Sequence, residues 1–358
     1  MAKRGRTRYL RVNPRRPDPL AIHVAAQILR HGGLVAFPTE TVYGLGANAF
    51  MEKAVQAIFL AKGRPADNPL IVHVGSRYQV QSLVTAVPPV AEALMRRFWP
   101  GPLTLVLPSS GRVAAAVTAG LTTVALRMPR HPVALALIRA ARVPVAAPSA
   151  NLSGRPSPTL GRHVLQDLGG KVDVILAAGA AEVGVESTVL DLTTAPPVLL
   201  RPGGVTLEEL AATVGEVRLD PAVGLAPLAG VVPRAPGMKY RHYAPRAPLY
   251  LVDGDPEKVA IRIVALVEEA RSRGEKAAIL TSEEKEEYYR ARARPALLLC
   301  LGPRSDPARA ASRLYLSLKA CDRHGVDVIF AEAWPESGMG LALMNRLRKA
   351  AAYRVISV

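Results

Sequence analysis

Two short segments hold the residue types that could do chemistry in this chain. Residues 61–70 place Lys62 and Arg64 one residue apart, just before a β-branched run that is typical of a buried strand. Residues 147–154 end another apolar run in small hydroxyl and amide side chains, among them Ser149. Arginine offers a planar fork of donors, lysine offers a point charge, and small residues let backbone N–H groups approach phosphate. The two segments therefore predict a nucleotide pocket.

These segments belong to a longer series of motifs. The series also contains FPTETVYGLG at residues 37–46, ESTV at 186–189, RPG at 201–203 and PGMKYRHYAP at 236–245. Together with the Lys-x-Arg and Ser-x-Asn pairs, and in this order, it resembles the YrdC-like threonylcarbamoyl-AMP synthases. The last motif resembles the linker of the longer, two-domain members. Each motif alone is weak evidence, whereas the whole series is specific.

The resemblance implies an enzyme that joins L-threonine, bicarbonate or CO2, and ATP into threonylcarbamoyl-AMP and pyrophosphate, the first step of threonylcarbamoyladenosine formation in tRNA. The threonine amine becomes a carbamate, whose oxygen attacks the α-phosphorus while pyrophosphate leaves. Such a transfer needs charge neutralisation and alignment more than a protein nucleophile. Lys62 and Arg64 are the catalytic residues that the resemblance implies.

Binding residues also follow from the resemblance. For ATP it implies Arg64, Asn68, Thr123, Ser149, Asn151, Ser157, Arg201 and Tyr243. For L-threonine it implies Thr41, His73, Arg127, Ala147 and Ser187. An arginine can hold the α-carboxylate as a bidentate pair, and small polar groups can recognise the hydroxyl. Outside these motifs, His73 would be expected to be a core residue, and Thr41 and Ser187 to be turn residues.

The linker motif combines Lys239, Arg241 and His242 with two tyrosines, Tyr240 and Tyr243. Such a strip could fold over the pocket and keep water from a labile anhydride, and in the family this segment reaches the active site. The alternative is an exposed tether with incidental aromatic residues.

No metal site is predicted in the protein. The sequence has no GxxxxGK[ST] motif for a P-loop and no HExxH motif for zinc. Magnesium is expected to arrive on the triphosphate, held largely by phosphate oxygens and water. Glu40, Asp67 and Glu186 lie in the motifs, but the sequence assigns them no role.

Size and composition indicate a globular, two-domain protein. The chain has 358 residues, of which 49% are hydrophobic and 21% charged. We expect a cytoplasmic protein without a membrane span, because no apolar run is long enough and no signal-peptide core follows the basic N-terminus. Cys300 and Cys321 fit two buried thiols, and a disulfide between them stays an alternative.

The formal net charge of +17 indicates a surface that attracts polyanions. Seven basic residues precede the first carboxylate, Asp18: Lys3, Arg4, Arg6, Arg8, Arg11, Arg15 and Arg16. This basic tail, residues 1–16, is expected either to be solvated and flexible or to contact RNA. RNA contact would suit an enzyme whose product passes to a downstream threonylcarbamoyl transferase acting on tRNA.

The pattern of residues 17–214 predicts an α/β domain with a twisted, mixed sheet, and the resemblance implies that this is the YrdC-like catalytic domain. Predicted strands lie at 34–37, 70–74, 103–107, 124–126, 143–147, 172–176 and 189–192. Predicted helices lie at 52–61, 90–98, 133–141 and 160–168, and Thr206 is predicted to cap another that runs to 214.

Residues 215–248 are rich in proline without periodicity and predict a linker, and the resemblance implies that this linker reaches the active site. Residues 249–358 predict a smaller α/β domain with a doubly wound, parallel, Rossmann-like sheet. Its predicted strands lie at 249–252, 277–280, 296–301 and 326–331, and its predicted helices at 256–273, 283–292, 307–321 and 340–351.

Two other functions compete with the one implied by the resemblance. A carbamoyltransferase that forms a carbamoyl-adenylate has a similar core, but such proteins carry cysteine-rich zinc modules that two isolated cysteines cannot make. A non-catalytic RNA-binding protein would use the positive surface, but charge alone gives salt-dependent affinity without a specific function.

Overall fold

The computed structural model describes residues 6–224, 234 and 243–358. By their packing these residues fall into two compact units. The first comprises residues 6–153, 157–224 and 234, and the second comprises residues 154–156 and 243–358. The domain limits predicted at residues 214 and 248 stay predictions.

A mixed sheet of eleven strands organises the described part of the first unit. Its strands are β1 (Arg8–Arg11), β2 (Val35–Phe37), β3 (Gly44–Asn48), β4 (Ile71–His73), β5 (Leu103–Pro108), β6 (Thr123–Arg127), β7 (Val145–Ala146), β8 (Val174–Ala177), β9 (Thr188–Asp191), β10 (Val198–Arg201) and β11 (Arg218–Leu219). They lie in the order β1-β8-β2-β3-β7-β4-β6-β5-β9-β10-β11. The predicted twisted, mixed sheet is confirmed.

The helices of this unit are α1 (Pro19–Arg30), α2 (Glu52–Lys62), α3 (Tyr78–Gln81), α4 (Pro89–Phe98), α5 (Ala115–Thr118), α6 (Pro132–Ala141), α7 (Gly161–Leu168) and α8 (Leu207–Val214). One core cluster forms where α1 and α6 bury leucine, isoleucine and alanine side chains against β2, β7 and β8. Burial of this apolar surface supplies the main stabilisation of the helix layer. The predicted cap of α8 is confirmed, since Thr206 and Glu209 form a reciprocal capping box.

Seven of these described strands and helices of the first unit were not predicted, namely β1, β3, β10, β11, α1, α3 and α5, and two of them, β3 and α1, show why. Strand β3 lacks β-branched residues, and its Gly46 is fitted to its neighbours: a Cβ there would lie 2.8 Å from the Phe37 ring. Helix α1 begins at an Asp18 cap, whose carboxylate accepts the backbone N–H of Leu20 at 2.7 Å. Strand β3 depends on partners that are distant in sequence, and α1 depends on a cap inside a stretch whose sequence resembles a loop.

The predicted basic tail needs a correction. Residues 8–11 form β1 and pair in parallel with β8, with Tyr9 opposite Ile175 and Leu10 opposite Leu176. Leu10 also packs on the core, while Arg8 and Arg11 remain exposed. This part of the tail is therefore a sheet edge, stabilised by backbone hydrogen bonds that local sequence does not reveal.

The second unit contains a sheet of five parallel strands, in agreement with the prediction. Its elements are β12 (Leu249–Asp253), α9 (Pro256–Ser272), β13 (Ala277–Ser282), α10 (Glu283–Arg292), β14 (Leu297–Gly302), α11 (Pro307–His324), β15 (Val328–Glu332), α12 (Met339–Ala350) and β16 (Val355–Ser357). The order is β14-β13-β15-β12-β16. It differs from the 3-2-1-4-5 order of dinucleotide-binding sheets, because β15 lies between β13 and β12. The edge strand β16 was not predicted.

The two cysteines, both in the second unit, are free thiols. Cys321 is buried in α11, and this burial, together with the charge of Asp322, raises its thiol pKa to about 12. The alternative of a disulfide between them is therefore not realised.

Part of the predicted linker is ordered within the first unit. Strand β11 pairs in parallel with β10, and the guanidinium of Arg234 contacts the carboxylates of Asp191 at 3.0 Å and Asp220 at 2.6 Å. The predicted lid residues Lys239, Tyr240, Arg241 and His242 lie outside the described residues.

Candidate active site

The sheet register of the first unit places three polar residues in a row. His73 and Arg127 were predicted as site residues, and Thr104 was not. His73 ends β4 directly opposite Arg127, which ends the neighbouring strand β6. On the other side of β6, Leu105 lies opposite Leu126, so that Thr104 of β5 reaches the level of Arg127. Because neighbouring strands lie about 4.8 Å apart, this row is a compact platform.

Arg127 is buried and held from three directions. Its Nη1 donates to Thr41 Oγ1 at 2.9 Å, its Nε donates to the carbonyl of Gly101 at 3.3 Å, and its Nη2 lies 2.7 Å from the Glu40 carboxylate. The Nη2 hydrogens do not point at that carboxylate, and among the described residues Nη2 has no hydrogen-bond acceptor. A buried donor of this kind is suited to a ligand carboxylate.

Glu40 fixes this arginine in place. Its second carboxylate oxygen accepts the backbone N–H of Arg130 at 3.1 Å, and its carbonyl accepts the backbone N–H of Val183 at 2.7 Å. The carboxylate therefore supplies the counter-charge that a buried guanidinium requires. Glu40 had no role in the sequence analysis, although its place inside the FPTET motif was a usable signal.

Ser187 joins the other side of the platform to Arg201. The Arg201 guanidinium donates from Nε to the Ser187 carbonyl at 3.0 Å and from Nη2 to Ser187 Oγ at 3.2 Å. Ser187 Oγ also lies 2.8 Å from Thr104 Oγ1. A predicted threonine residue and a predicted ATP residue are thus in direct contact. Thr104 was missed, because a threonine inside an apolar run gives no functional signal.

We call these six residues the Arg127 cluster: Glu40, Thr41, Thr104, Arg127, Ser187 and Arg201. His73 lies beside it, edge-on to the Phe37 ring at a centroid distance of 6.1 Å. Burial, reinforced by the Arg127 charge and partly opposed by the carbonyls of Ile71 and Val145, lowers the His73 pKa to about 3. His73 is therefore neutral near pH 7.

A second cluster forms at the end of α2. Lys62 is the last residue of that helix and Gly63 ends it in the left-handed conformation with φ of 60°, which turns the chain toward Arg64. Lys62 Nζ donates to the carbonyls of Ser149 at 2.5 Å and Asn151 at 2.6 Å. Burial first, and then the charge of Arg64, lower the Lys62 pKa well below its ordinary value.

Arg64 and Asn68 complete this Lys62 cluster, which comprises Lys62, Arg64, Asn68, Ser149 and Asn151. Arg64 Nη2 donates to the carbonyl of Asn68 at 3.2 Å and to that of Pro69 at 3.1 Å. The Asn68 side chain is 1% exposed, and neither of its amide atoms has a hydrogen-bond partner within the described ranges. A buried amide without partners is costly unless a ligand satisfies it.

The segment between Thr39 and Gly44 joins the two clusters. Thr39 Oγ1 lies 2.8 Å from Thr41 Oγ1 and donates to the Val42 carbonyl at 2.6 Å, which shapes the turn that presents Thr41 to Arg127. At its other end, Gly44 forms a β-bridge with Ser149 of the Lys62 cluster. One rigid turn therefore sets both clusters relative to each other.

The remaining predicted residues have mixed placements. Thr123 begins β6 and Arg127 ends it, so the two lie about 13 Å apart along the strand. Ser157 donates to the Glu186 carboxylate at 2.5 Å, next to Ser187 in the chain, and Ala147 donates its N–H to the Ile71 carbonyl at 2.9 Å.

Tyr243 belongs to the second unit. Its ring lies 5.4 Å from the Tyr315 ring, and the Arg346 guanidinium stacks on it at 5.3 Å. Its contact with ATP stays a prediction.

Across residues 6–224, 234 and 243–358, no group of three or more His, Cys, Asp and Glu side chains is arranged to hold a metal ion. Among the helices that the structure describes, none is long and apolar enough to span a membrane.

The fold and the site define a two-unit α/β protein whose first unit buries an arginine fork beside a lysine-arginine pair. Residues 27–203 match the model of the Sua5, YciO and YrdC family, described as telomere recombination. Residues 205–352 match the model of the threonylcarbamoyl-AMP synthase C-terminal domain. The chain therefore belongs to the YrdC-like threonylcarbamoyl-AMP synthase family, in its two-domain Sua5 form.

Individual relatives agree with this assignment over nearly the full length. Threonylcarbamoyl-AMP synthase of Pyrococcus abyssi is 51% identical over 94% of this chain and 96% of its own length. The synthase of Bacillus subtilis is 50% identical over 95% of each chain. The crystal structure of P. abyssi Sua5 complexed with L-threonine matches with a TM-score of 0.92 and 49% identity, over 98% of this chain and 100% of that one. The family predicted from the sequence is confirmed.

Proposed function

We propose that the chain catalyses ATP-dependent synthesis of threonylcarbamoyl-AMP and pyrophosphate from L-threonine and bicarbonate or CO2. It would thereby perform the first step of threonylcarbamoyladenosine formation in tRNA. Family membership over the full length supports this activity. So does the name of the close P. abyssi relative, whose structure is described as a complex with L-threonine.

The observation that carries the proposal is the buried fork of Arg127, held by Glu40 and Thr41 with Nη2 lacking an acceptor among the described residues. A fixed, desolvated guanidinium binds a carboxylate strongly and in one orientation. An α-carboxylate held there would place the amino group and the hydroxyl of L-threonine against Thr41, His73, Ala147 and Ser187. These residues are the proposed amino-acid subsite.

The Lys62 cluster would hold the triphosphate. Lys62 and Arg64 offer positive charge where negative charge develops as pyrophosphate leaves, and the carbonyls around Lys62 fix its position in advance. Asn68, Ser149 and Asn151 would supply directional hydrogen bonds. Thr123, Ser157, Arg201 and Tyr243 complete the proposed ATP subsite.

Magnesium, the linker segment and tRNA would also take part in the reaction or in the delivery of its product. Magnesium would arrive on the triphosphate and shield its charge, held mainly by phosphate oxygens and water. The segment with Tyr240 and Tyr243 would cover the nucleotide. The net charge of +17 supports contact with tRNA in the cytoplasm, and a separate threonylcarbamoyl transferase would use the product.

Pyrophosphate release from ATP and bicarbonate, measured with and without L-threonine, tests the proposal. Release that depends on L-threonine supports it. Release that depends instead on carbamoyl phosphate would indicate a carbamoyl-adenylate-forming carbamoyltransferase. Absence of turnover together with salt-sensitive RNA binding would indicate a non-catalytic RNA-binding protein.

A further inference from the structure

Thr104 is joined to the site by a hydrogen bond with Ser187. It lies on β5, is fully buried, and its Oγ1 is 2.8 Å from Ser187 Oγ. Among the described residues, this is the one side-chain partner recorded for the Thr104 hydroxyl. Either hydroxyl of this buried pair can be the donor, and donation by Thr104 is the direction that leaves the Ser187 proton available to a ligand.

Donation from Thr104 to Ser187 would fix the Ser187 hydroxyl. Its oxygen has two lone pairs. One receives the N–H of Arg201 Nη2 at 3.2 Å, and the other receives the proton of Thr104. Both acceptor positions are then occupied, and the proton of Ser187 is left to point at a third group.

We infer that Thr104 is a positioning residue that aims the Ser187 proton at bound L-threonine and couples the amino-acid subsite to Arg201. The inference rests on the proposed function, because it assigns Ser187 to L-threonine and Arg201 to ATP. The Ser187 hydroxyl accepts a hydrogen bond from Arg201 and is proposed to donate one to L-threonine. A nucleotide that orders Arg201 therefore also orders the hydroxyl that L-threonine contacts. L-Threonine and ATP then strengthen each other's binding by the same factor.

The test compares Thr104→Val, which removes the hydroxyl with little change of shape, with Thr104→Ser, which keeps it. Calorimetry gives the Kd of L-threonine with and without α,β-methylene-ATP, and the pyrophosphate assay gives KM and kcat. Thr213→Val is the control, because the Thr213 hydroxyl donates to the Glu209 carbonyl within α8 at 2.8 Å.

We expect Thr104→Val to raise the KM for L-threonine about five- to tenfold, the usual effect of one lost hydrogen bond. The enhancement of L-threonine binding by the nucleotide should fall toward onefold, while the Kd of the nucleotide alone changes less than about twofold. Thr104→Ser should restore both values, and Thr213→Val should leave both unchanged.

Three results would overturn the inference. They are a normal KM and normal enhancement in Thr104→Val, a loss that Thr104→Ser does not restore, and a parallel loss of thermal stability and of all kinetic parameters. If Thr104→Val does not fold, Thr104→Ala replaces it, and failure of both shows a role in folding alone. Absence of threonine-dependent turnover in the unmodified protein would instead reject the proposed function.

Discussion

The Arg127 cluster and the Lys62 cluster bury their cations in different ways. Arg127 faces a carboxylate, a hydroxyl and a carbonyl, so its charge is compensated by the Glu40 side chain. Lys62 contacts two carbonyls and has a second cation, Arg64, as its electrostatic neighbour. Arg127 is thus paired directly with a carboxylate, whereas Lys62 is held by carbonyls, with Arg64 opposing and Asp167 favouring its charged form. The Lys62 cluster also holds the Asn68 amide, which has no partner among the described residues.

This difference indicates which substrate each cluster suits. A preorganised fork that is paired with a carboxylate discriminates by geometry, which suits a small zwitterion such as an amino acid. A cluster with two neighbouring cations gains most from a multiply charged ligand, because the ligand favours the charged form of Lys62 that burial and Arg64 disfavour. The following substitutions would sharpen or break this comparison.

Lys62→Met should have the largest effect on catalysis. Loss of one preorganised charge in a buried site typically costs about a hundred- to a thousandfold in kcat. L-Threonine binding without nucleotide should remain within about twofold of normal, because the Arg127 cluster is untouched. The exposed Lys53→Met on the same helix is the matched control, measured by pyrophosphate release and calorimetry. Near-normal turnover in Lys62→Met would contradict the role of this cluster.

Arg127→Lys keeps the charge but removes the planar fork. We expect about a hundredfold loss in kcat/KM for L-threonine, because a lysine cannot hold a carboxylate in the bidentate geometry. The Kd of α,β-methylene-ATP alone should change little. Arg130→Lys, whose side chain is exposed, should behave normally in the same assays. Equal losses for both substrates would argue against separate subsites.

His73 should make the protein sensitive to acid. Its folded-state pKa of about 3 lies below the ordinary value, so the unfolded chain binds a proton first as the pH falls from about 6.5. This contribution to stability is complete above pH 6.5 and is lost progressively toward pH 3. By pH 5 about 2 kcal/mol of stability has been lost in this way.

Urea unfolding at pH 7 and pH 5 measures the effect. The stability of His73→Gln should fall by about 2 kcal/mol less between these pH values than that of the unmodified protein. The exposed His23→Gln serves as control. If His73→Gln and the unmodified protein lose the same stability between pH 7 and pH 5, His73 does not have the lowered pKa.

Asn68→Leu should have the smallest effect on stability and should be favourable. It removes a buried amide without partners and fills the same space with apolar atoms, which should raise the unfolding free energy by about 1 kcal/mol. Nucleotide affinity should fall at the same time. A thermal melt with and without α,β-methylene-ATP measures both. A less stable variant would show that the amide is satisfied in the empty protein.

Local patterns were sufficient for much of the fold. The capping residues Thr206 and Glu209 determine where α8 begins, and the regular β-α alternation after residue 249 predicted the parallel sheet. Strand β3 was missed because its Gly44 and Gly46 have low strand propensity. Glycine is needed at Gly46 because the Phe37 ring leaves no room for a Cβ there, which only the tertiary structure shows. Strands β1, β11 and β16 are short, and they form because their backbones pair with other strands of the sheet, which their local sequence does not indicate.

By itself the sequence determined the family, the fold class and the residue types of the site, because ordered motifs and hydrophobic periodicity are properties of the chain. The tertiary structure alone decided that Glu40 compensates Arg127 and that Thr104 holds Ser187. These contacts join residues 87 and 83 positions apart in the chain (127 minus 40, and 187 minus 104). Sheet register creates such contacts, and no local pattern encodes which residues two distant strands place side by side.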